Sequence, residues 1–423
     1  MFKWLASLLV LALALAMWTS WTRANVESNH YVGSSSCQDC HQTQHEGWHD
    51  SAHRKMMRKA TEPGVMNASW HAEGAPAFTE DEVVWVIGSK WEQQFMGADG
   101  HTETLLPAAW SILRSGWKLT GWDGWQAPVP LRRCHGCHTV GLDVTDGSFV
   151  EPGIGCESCH GRGAWHEEVH GSGGMTAGLD AETCGQCHAR GNSPSGEYFF
   201  PVGFEPGGSL EDKFVFSQPD YLQNSSQWWG TGRERDRHQQ FQAWQRGGHA
   251  DALKSLGSSY DGRFGPVERE CYQCHSAEYA VFPEKAKDAE LVPELGVTCS
   301  VCHNVHGELD SQRMTCVDCH DNGAKHHAQD ALVDHVPCPE SAKVECIDCH
   351  MPITITIGGE LRLRSHAPGI TEPQQAASFD SPSSCANGGC HSNASSEDMQ
   401  TAFDNFYRAG DARASTVGER SGK

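Results

Sequence analysis

Nine times in 423 residues, a pair of cysteines is followed at once by histidine. Eight of these are Cys-x-x-Cys-His: Cys37, Cys40 and His41; Cys134, Cys137 and His138; Cys156, Cys159 and His160; Cys184, Cys187 and His188; Cys271, Cys274 and His275; Cys299, Cys302 and His303; Cys316, Cys319 and His320; and Cys346, Cys349 and His350. The ninth, Cys385, Cys390 and His391, has four residues between its thiols, and the glycines of Asn387-Gly388-Gly389 permit the longer loop. A two-residue gap lets one tight turn present both sulfurs to the two vinyl groups on one porphyrin edge. The next residue then offers an imidazole to the iron, so each motif implies covalent attachment of c-type haem. Zinc knuckles and redox dithiols share Cys-x-x-Cys but do not require the histidine. Histidine is only 25 of 423 residues, so its presence after every pair is not chance. A disulfide between Cys385 and Cys390 is the alternative for the ninth motif; haem is favoured there because His391 keeps its place. Cys338, with no histidine at that spacing, reads as a structural or free thiol.

This pattern governs the expected fold. With eight or nine haem c groups and only 38% hydrophobic residues, the porphyrins themselves would supply much of the apolar core. The expected fold class is mainly α with extensive irregular loops: a multihaem cytochrome fold with a core built around stacked haems and a small β-meander near residues 79–115. In that cysteine-free stretch Glu82-Val83-Val84-Trp85-Val86-Ile87 and Leu105-Leu106-Pro107 flank an Asp99-Gly100 turn signal. The fifteen tryptophans are expected to fill gaps between porphyrins. Residues 189–235, rich in Gly, Pro, Ser and aromatics, read as a linker or long loop. The expected division is a signal peptide at 1–24, an N-terminal haem domain at 25–230 with haems one to four, and a C-terminal haem domain at 231–423 with haems five to nine. A short amphipathic helix is expected from Glu397 to Arg408.

Lys3, the apolar run Leu5–Met17 and Thr22-Arg23-Ala24 form a secretory signal pattern, with an uncleaved membrane anchor as the alternative. Export agrees with covalent haem attachment, and points to a bacterial periplasmic or extracellular protein. The formal charge is −22, and cleavage after Ala24 would remove Lys3 and Arg23 but no acid. That balance argues against nucleic-acid binding and against adsorption to anionic lipid, leaving membrane contact only through partners or an uncleaved anchor. It suits a basic redox partner, or simply solubility.

Nine histidines sit in the motifs and sixteen remain, enough for a second imidazole on every iron. His306 lies three residues after His303, on the same helical face, and cannot easily reach across its own haem. It could ligate a neighbouring iron, and His166, six residues past His160, could do the same. His53, His249 and His366 are the other preferred second ligands. His170, His238, His326, His327 and His335 are weaker candidates. His30, His45, His49, His71, His101 and His135 read as surface or supporting residues. Arg132, Arg133 and Arg162 adjoin motifs and could pair with propionates.

Val32-Gly33-Ser34 before Cys37, followed by Trp48 and Ser51-Ala52-His53, resembles the opening of the multihaem cytochrome c-552/c-554 superfamily, which contains the tetrahaem ammonia-oxidiser carrier. Gly153-Ile154-Gly155 before Cys156, with His166 following, is also similar to that group, as is Phe241–His249. Cys346–Pro352 with Arg364-Ser365-His366 resembles pentahaem nitrite reductases and octahaem hydroxylamine oxidoreductases. The resemblance implies bis-histidine haems using His53, His166, His249, His306 and His366, and stacked haem pairs. Nitrite reductases of this kind commonly carry lysine in the catalytic motif, and no Cys-x-x-Cys-Lys occurs here. The expectation is therefore an exported electron-transfer cytochrome rather than an enzyme, with no catalytic residue assigned. Its partners would be a quinol dehydrogenase or other cytochromes. The alternatives are a reductase or oxidase of small nitrogen or sulfur compounds with one open haem, and an oligomeric extracellular filament or outer-membrane conduit.

Overall fold

The computed structural model describes residues 30–99, 102–120, 125–126, 129–170, 175–176, 178–258, 269–284, 292–307, 313–320, 344–357 and 361–406. The signal segment 1–24, Gly100, His101, His326, His327, His335, Cys338 and Arg408 lie outside the described residues. The chain divides into two compact units. The first comprises residues 1–178, 205–208 and 306–308, and the second comprises 179–204, 209–305 and 309–423.

The first unit contains a six-stranded antiparallel sheet: β1 (Met57–Lys59), β2 (Trp85–Ile87), β3 (Glu92–Asp99), β4 (Thr102–Ser111), β5 (Gly116–Leu119) and β6 (Trp125–Gln126). The strands run in order β1-β2-β3-β4-β5, with β6 also pairing with β4. Alternation along the strands serves both faces of the sheet. Val86, Phe95, Ala108 and Trp110 join Val65, Phe78 and Val83 on one side, where Trp70 and Trp117 pack against them. Ile87, Met96 and Leu105 join Met57 on the other, against Trp85 and Phe149. Gln93, fully buried, is satisfied by accepting from the Asn67 amide and donating to the Val65 carbonyl. The region therefore carries its own apolar core without porphyrin.

Two sequence expectations change here. The architecture is mixed, with short helices, small sheets and many loops, rather than mainly α. The sheet also reaches beyond 79–115 on both sides, because short polar-flanked strands such as β1 have little pattern of their own and are recruited by pairing with β2. Trp70, Trp110 and Trp117 are used inside this sheet's core, edge-on or tilted to one another.

Two-stranded pairs punctuate the rest: β7 (Thr139–Val140) with β8 (Glu151–Pro152) in the first unit, and β9 (Gly191–Asn192) with β10 (Val215–Phe216) and β11 (Ile353–Ile357) with β12 (Leu361–Arg364) in the second. The second unit has small apolar clusters, one of Ala181, Ala189, Leu210, Phe214 and Phe241 and another of Leu179, Ala277, Val281 and Val301. Residues 189–235 are no loose linker: Phe200, Leu210, Phe214 and Trp228 are buried, and so are Arg233 and Glu234. Residues 396–406 are helical. No helix among the described residues is long and apolar enough to cross a membrane.

Because the sheet core is independent of the attachment motifs, Phe95→Ala is expected to lower stability by about 3–5 kcal/mol, the cost of emptying a buried aromatic site. Guanidinium unfolding followed by far-UV circular dichroism should show this, with the haem content of the folded protein unchanged.

Candidate haem-attachment and ligand sites

Most motifs are built on one turn of helix. The His41 amide donates to the Cys37 carbonyl at 2.9 Å, His160 to Cys156 at 3.0 Å, His303 to Cys299 at 2.9 Å and His320 to Cys316 at 2.8 Å. This i-to-i+4 closure places the first cysteine and the histidine on one face. The residues around and between the cysteines hold the turn. Asp180 caps the helix Ala181–His188 by accepting from the Thr183 amide. Thr315 with Asp318, and Glu345 with Asp348, form reciprocal capping boxes at the helices Cys316–Cys319 and Cys346–His350. In the third motif, buried Glu157 accepts from the amides of Val32, Gly33 and Gly163.

Five pairs of imidazoles then face each other at a common spacing. Ring centres are 6.1 Å apart for His41 and His166, and 5.9 Å for His160 and His306, both in the first unit. In the second unit they are 6.2 Å for His188 and His238, 6.2 Å for His249 and His320, and 6.1 Å for His303 and His366. A metal–imidazole bond is about 2.0–2.1 Å and the ring nitrogen lies roughly 1.1 Å from the ring centre, so two imidazoles on opposite faces of one metal set their centres about 6.3 Å apart. Each pair joins a motif histidine to one outside the motifs. Among the described residues no three His, Cys, Asp or Glu side chains converge as a bare metal ion would need. A pair of imidazoles with the two cysteines of a motif nearby is a donor set that would hold a porphyrin iron, and the residues fit haem.

Ring orientation supports the fit. His160 Nδ1 lies 2.8 Å from the Thr176 carbonyl, His275 Nδ1 2.9 Å from Ala252 and His366 Nδ1 3.1 Å from Arg364. A carbonyl only accepts, so Nδ1 carries the proton and Nε2 presents its lone pair, as in other metal-bound histidines. Burial lowers the pKa of His53, His249 and His366; His320 lowers His249 further, and Glu234 opposes the shift at His366. All three are thereby kept in the neutral form that can ligate a metal.

His53 and His138 meet the same short loop. The Gly153 amide donates to the His138 carbonyl and the Ile154 amide to the His53 carbonyl. Gly153 has φ 83°, and a Cβ there would stand 2.5 Å from the Arg54 carbonyl, so the loop requires glycine. His350 accepts from the Gly369 amide. His391 borders a cavity of about 390 Å³ lined by residues 389–394.

The motifs also approach one another through their thiols. Cys37 lies beside Cys156, Cys184 beside Cys299, Cys274 beside Cys319 and Cys316 beside Cys346. Burial pushes Cys134 up to about 12.

His238, a weaker candidate by sequence, faces His188. Its left-handed backbone, φ 65°, leaves no trace in the sequence. His135 is buried rather than superficial: its Nε2 is 2.8 Å from Glu103 of β4, which ties the second motif to the sheet. Arg162 pairs with Glu205 at 2.8 Å and lies over the Tyr31 ring. Gly47 carries no mark of its role in the sequence. A Cβ there would stand 1.9 Å from the His306 carbonyl, so only glycine lets the helix Gln42–Asp50 pass that backbone.

The comparisons with known proteins point to a haem protein as well. The family model described as cytochrome c554 and c-prime matches residues 36–83, 120–161 and 236–304. Those segments carry the first, second, third, fifth and sixth motifs, with His53 and His249. Among solved structures, the outer cell wall cytochrome OcwA is 26% identical, with a TM-score of 0.73 over 89% of this chain and 86% of that one. The undecahaem cytochrome from the S-layer of Carboxydothermus ferrireducens shares the fold at 20% identity, with a TM-score of 0.57 over 93% of this chain and 62% of that one. No curated protein matches the chain. The chain is a multihaem c-type cytochrome, and its function is electron transfer.

Two outcomes are expected. Gly47→Ala should displace His306 from His160 and give a high-spin ferric signal worth one iron in electron paramagnetic resonance. An imidazole whose pKa is lowered by folding gains a proton on unfolding below its ordinary 6.5, so its contribution is complete above that pH and is lost as pH falls. The guanidinium midpoint should accordingly decline as pH drops below about 6.5.

Proposed function

We propose that this protein is an exported electron carrier with nine covalently attached haem c groups, mostly held between two histidines, that passes electrons between redox proteins outside the cytoplasmic membrane. The observation that carries the reading is the set of five imidazole pairs at 5.9–6.2 Å. When bound, haem supplies one-electron exchange at iron. The chain's part is to fix both axial imidazoles, so that the sites change little on exchange. The eighteen motif cysteines, from Cys37 to Cys390, would anchor the porphyrins, with His41, His138, His160, His188, His275, His303, His320, His350 and His391 as proximal ligands. His166, His306, His238, His249 and His366 would take the opposite faces of five of them, and His53 is assigned to a sixth, that of His138, on the strength of their shared loop.

The thiol contacts support relay between neighbouring sites. They pair the first motif with the third, the fourth with the sixth, the fifth with the seventh and the seventh with the eighth. The signal pattern at 1–24 supports export, and the likeness to an outer cell wall cytochrome and an S-layer cytochrome supports an extracellular or cell-surface position. The partners inferred are a quinol dehydrogenase or other cytochromes, and the charge of −22 favours a basic docking face on them.

Intact-mass analysis with pyridine haemochrome counting should give nine haems, falling to eight when Cys385 and Cys390 are both changed to serine. An unchanged count in that variant would remove the ninth site. Electron exchange with a basic cytochrome should slow as salt rises from 10 mM to about 0.5 M, since screening shortens the reach of opposite charges.

A further inference from the structure

Two adjacent charged residues, Arg233 and Glu234, are buried in the second unit, at 9% and 2% exposure. Buried charge is costly unless it is paired and hydrogen-bonded, so its presence calls for a local cause. Both side chains are directed at one irregular loop, residues 365–371. Arg233 Nε donates to Thr371 Oγ1 at 3.0 Å, Nη1 to Ser365 Oγ at 3.1 Å and also to the Ala367 carbonyl, and Nη2 to the Gly369 carbonyl at 2.9 Å. Glu234 accepts from Ser365 Oγ at 2.6 Å and from the His366 amide itself at 2.8 Å. The loop has no helix or strand to satisfy these groups, and the two side chains replace one.

His366 is the residue so held, and its ring stands 6.1 Å from that of His303. The same loop is tied to the eighth motif, where the Gly369 amide donates to the His350 carbonyl. We propose that Arg233 and Glu234 are positioning residues that hold the 365–371 loop so that His366 is presented to the iron on His303. The inference rests on the haem reading above and adds residues outside the attachment motifs and their histidines. Glu234 fixes the ligand's own backbone. Arg233 fixes the carbonyls on either side of the turn and neutralises the buried carboxylate's surroundings.

The test uses the haem-loaded, full-length protein and reads spin state by electron paramagnetic resonance. His366→Ala should convert one iron from low to high spin. Glu234→Ala should give the same one-iron signal with an unchanged haem count, and free imidazole should return both variants to low spin. Glu234→Gln keeps an oxygen that accepts from the His366 amide and should remain low spin. Should Glu234→Ala lose haem or structure, Ser365→Ala removes one hydroxyl and no charge. It should then let cyanide bind at one iron several-fold faster than in the unaltered protein. If His366→Ala leaves every iron low spin, the ligand assignment falls, and the clamp falls with it. If His366→Ala opens an iron but Glu234→Ala does not, or Ser365→Ala takes up cyanide no faster, the assignment stands and the positioning role is rejected.

Discussion

Opposed imidazoles, held apart at a fixed distance, are the constraint on which this structure depends. Rings whose centres are about 6 Å apart do not hold themselves there, so the chain must fix each ring separately. It does so with backbone carbonyls on Nδ1 at His160 and His366, and with the helical turn that closes the motifs of His41, His160, His303 and His320 from histidine amide to cysteine carbonyl. The short helices follow from this need. A turn that orients two thiols and an imidazole is complete within five residues, and its caps, Asp318 and Asp348, come from inside the motif.

The same need explains where conventional packing persists. The six-stranded sheet is the largest region free of attachment motifs, and it has an aromatic core on one face and an aliphatic core on the other. Elsewhere the apolar clusters are small and lie beside the motifs, as Phe241 and Leu210 do against the helix Ala181–His188. The two kinds of packing in the first unit meet at a polar contact: His135, inside a motif, lies 2.8 Å from Glu103 on β4.

The chemistry was legible in the sequence because covalent attachment demands fixed residue types at fixed spacing. The placing of His166 and His306 against motif histidines other than their nearest ones could be anticipated from their offsets, too short to reach around their own porphyrins. His238 could not, since its position depends on a left-handed backbone and on the packed segment before it. Nor could β1, a three-residue strand that exists only through its partner. Nothing in the sequence around Arg233 and Glu234 marks them as interior; the loop they enter does. Gly47 resembles any helical glycine until the His306 carbonyl is seen beside it.

The most direct measurement is diffraction from crystals of the haem-loaded protein on both sides of the iron absorption edge. The account predicts anomalous peaks midway between His41 and His166, His160 and His306, His188 and His238, His249 and His320, and His303 and His366, each continuous through thioether density with the cysteines of its motif. Iron absent from those midpoints, or the facing thiols of Cys37 and Cys156 joined to each other instead of to porphyrin, would contradict it.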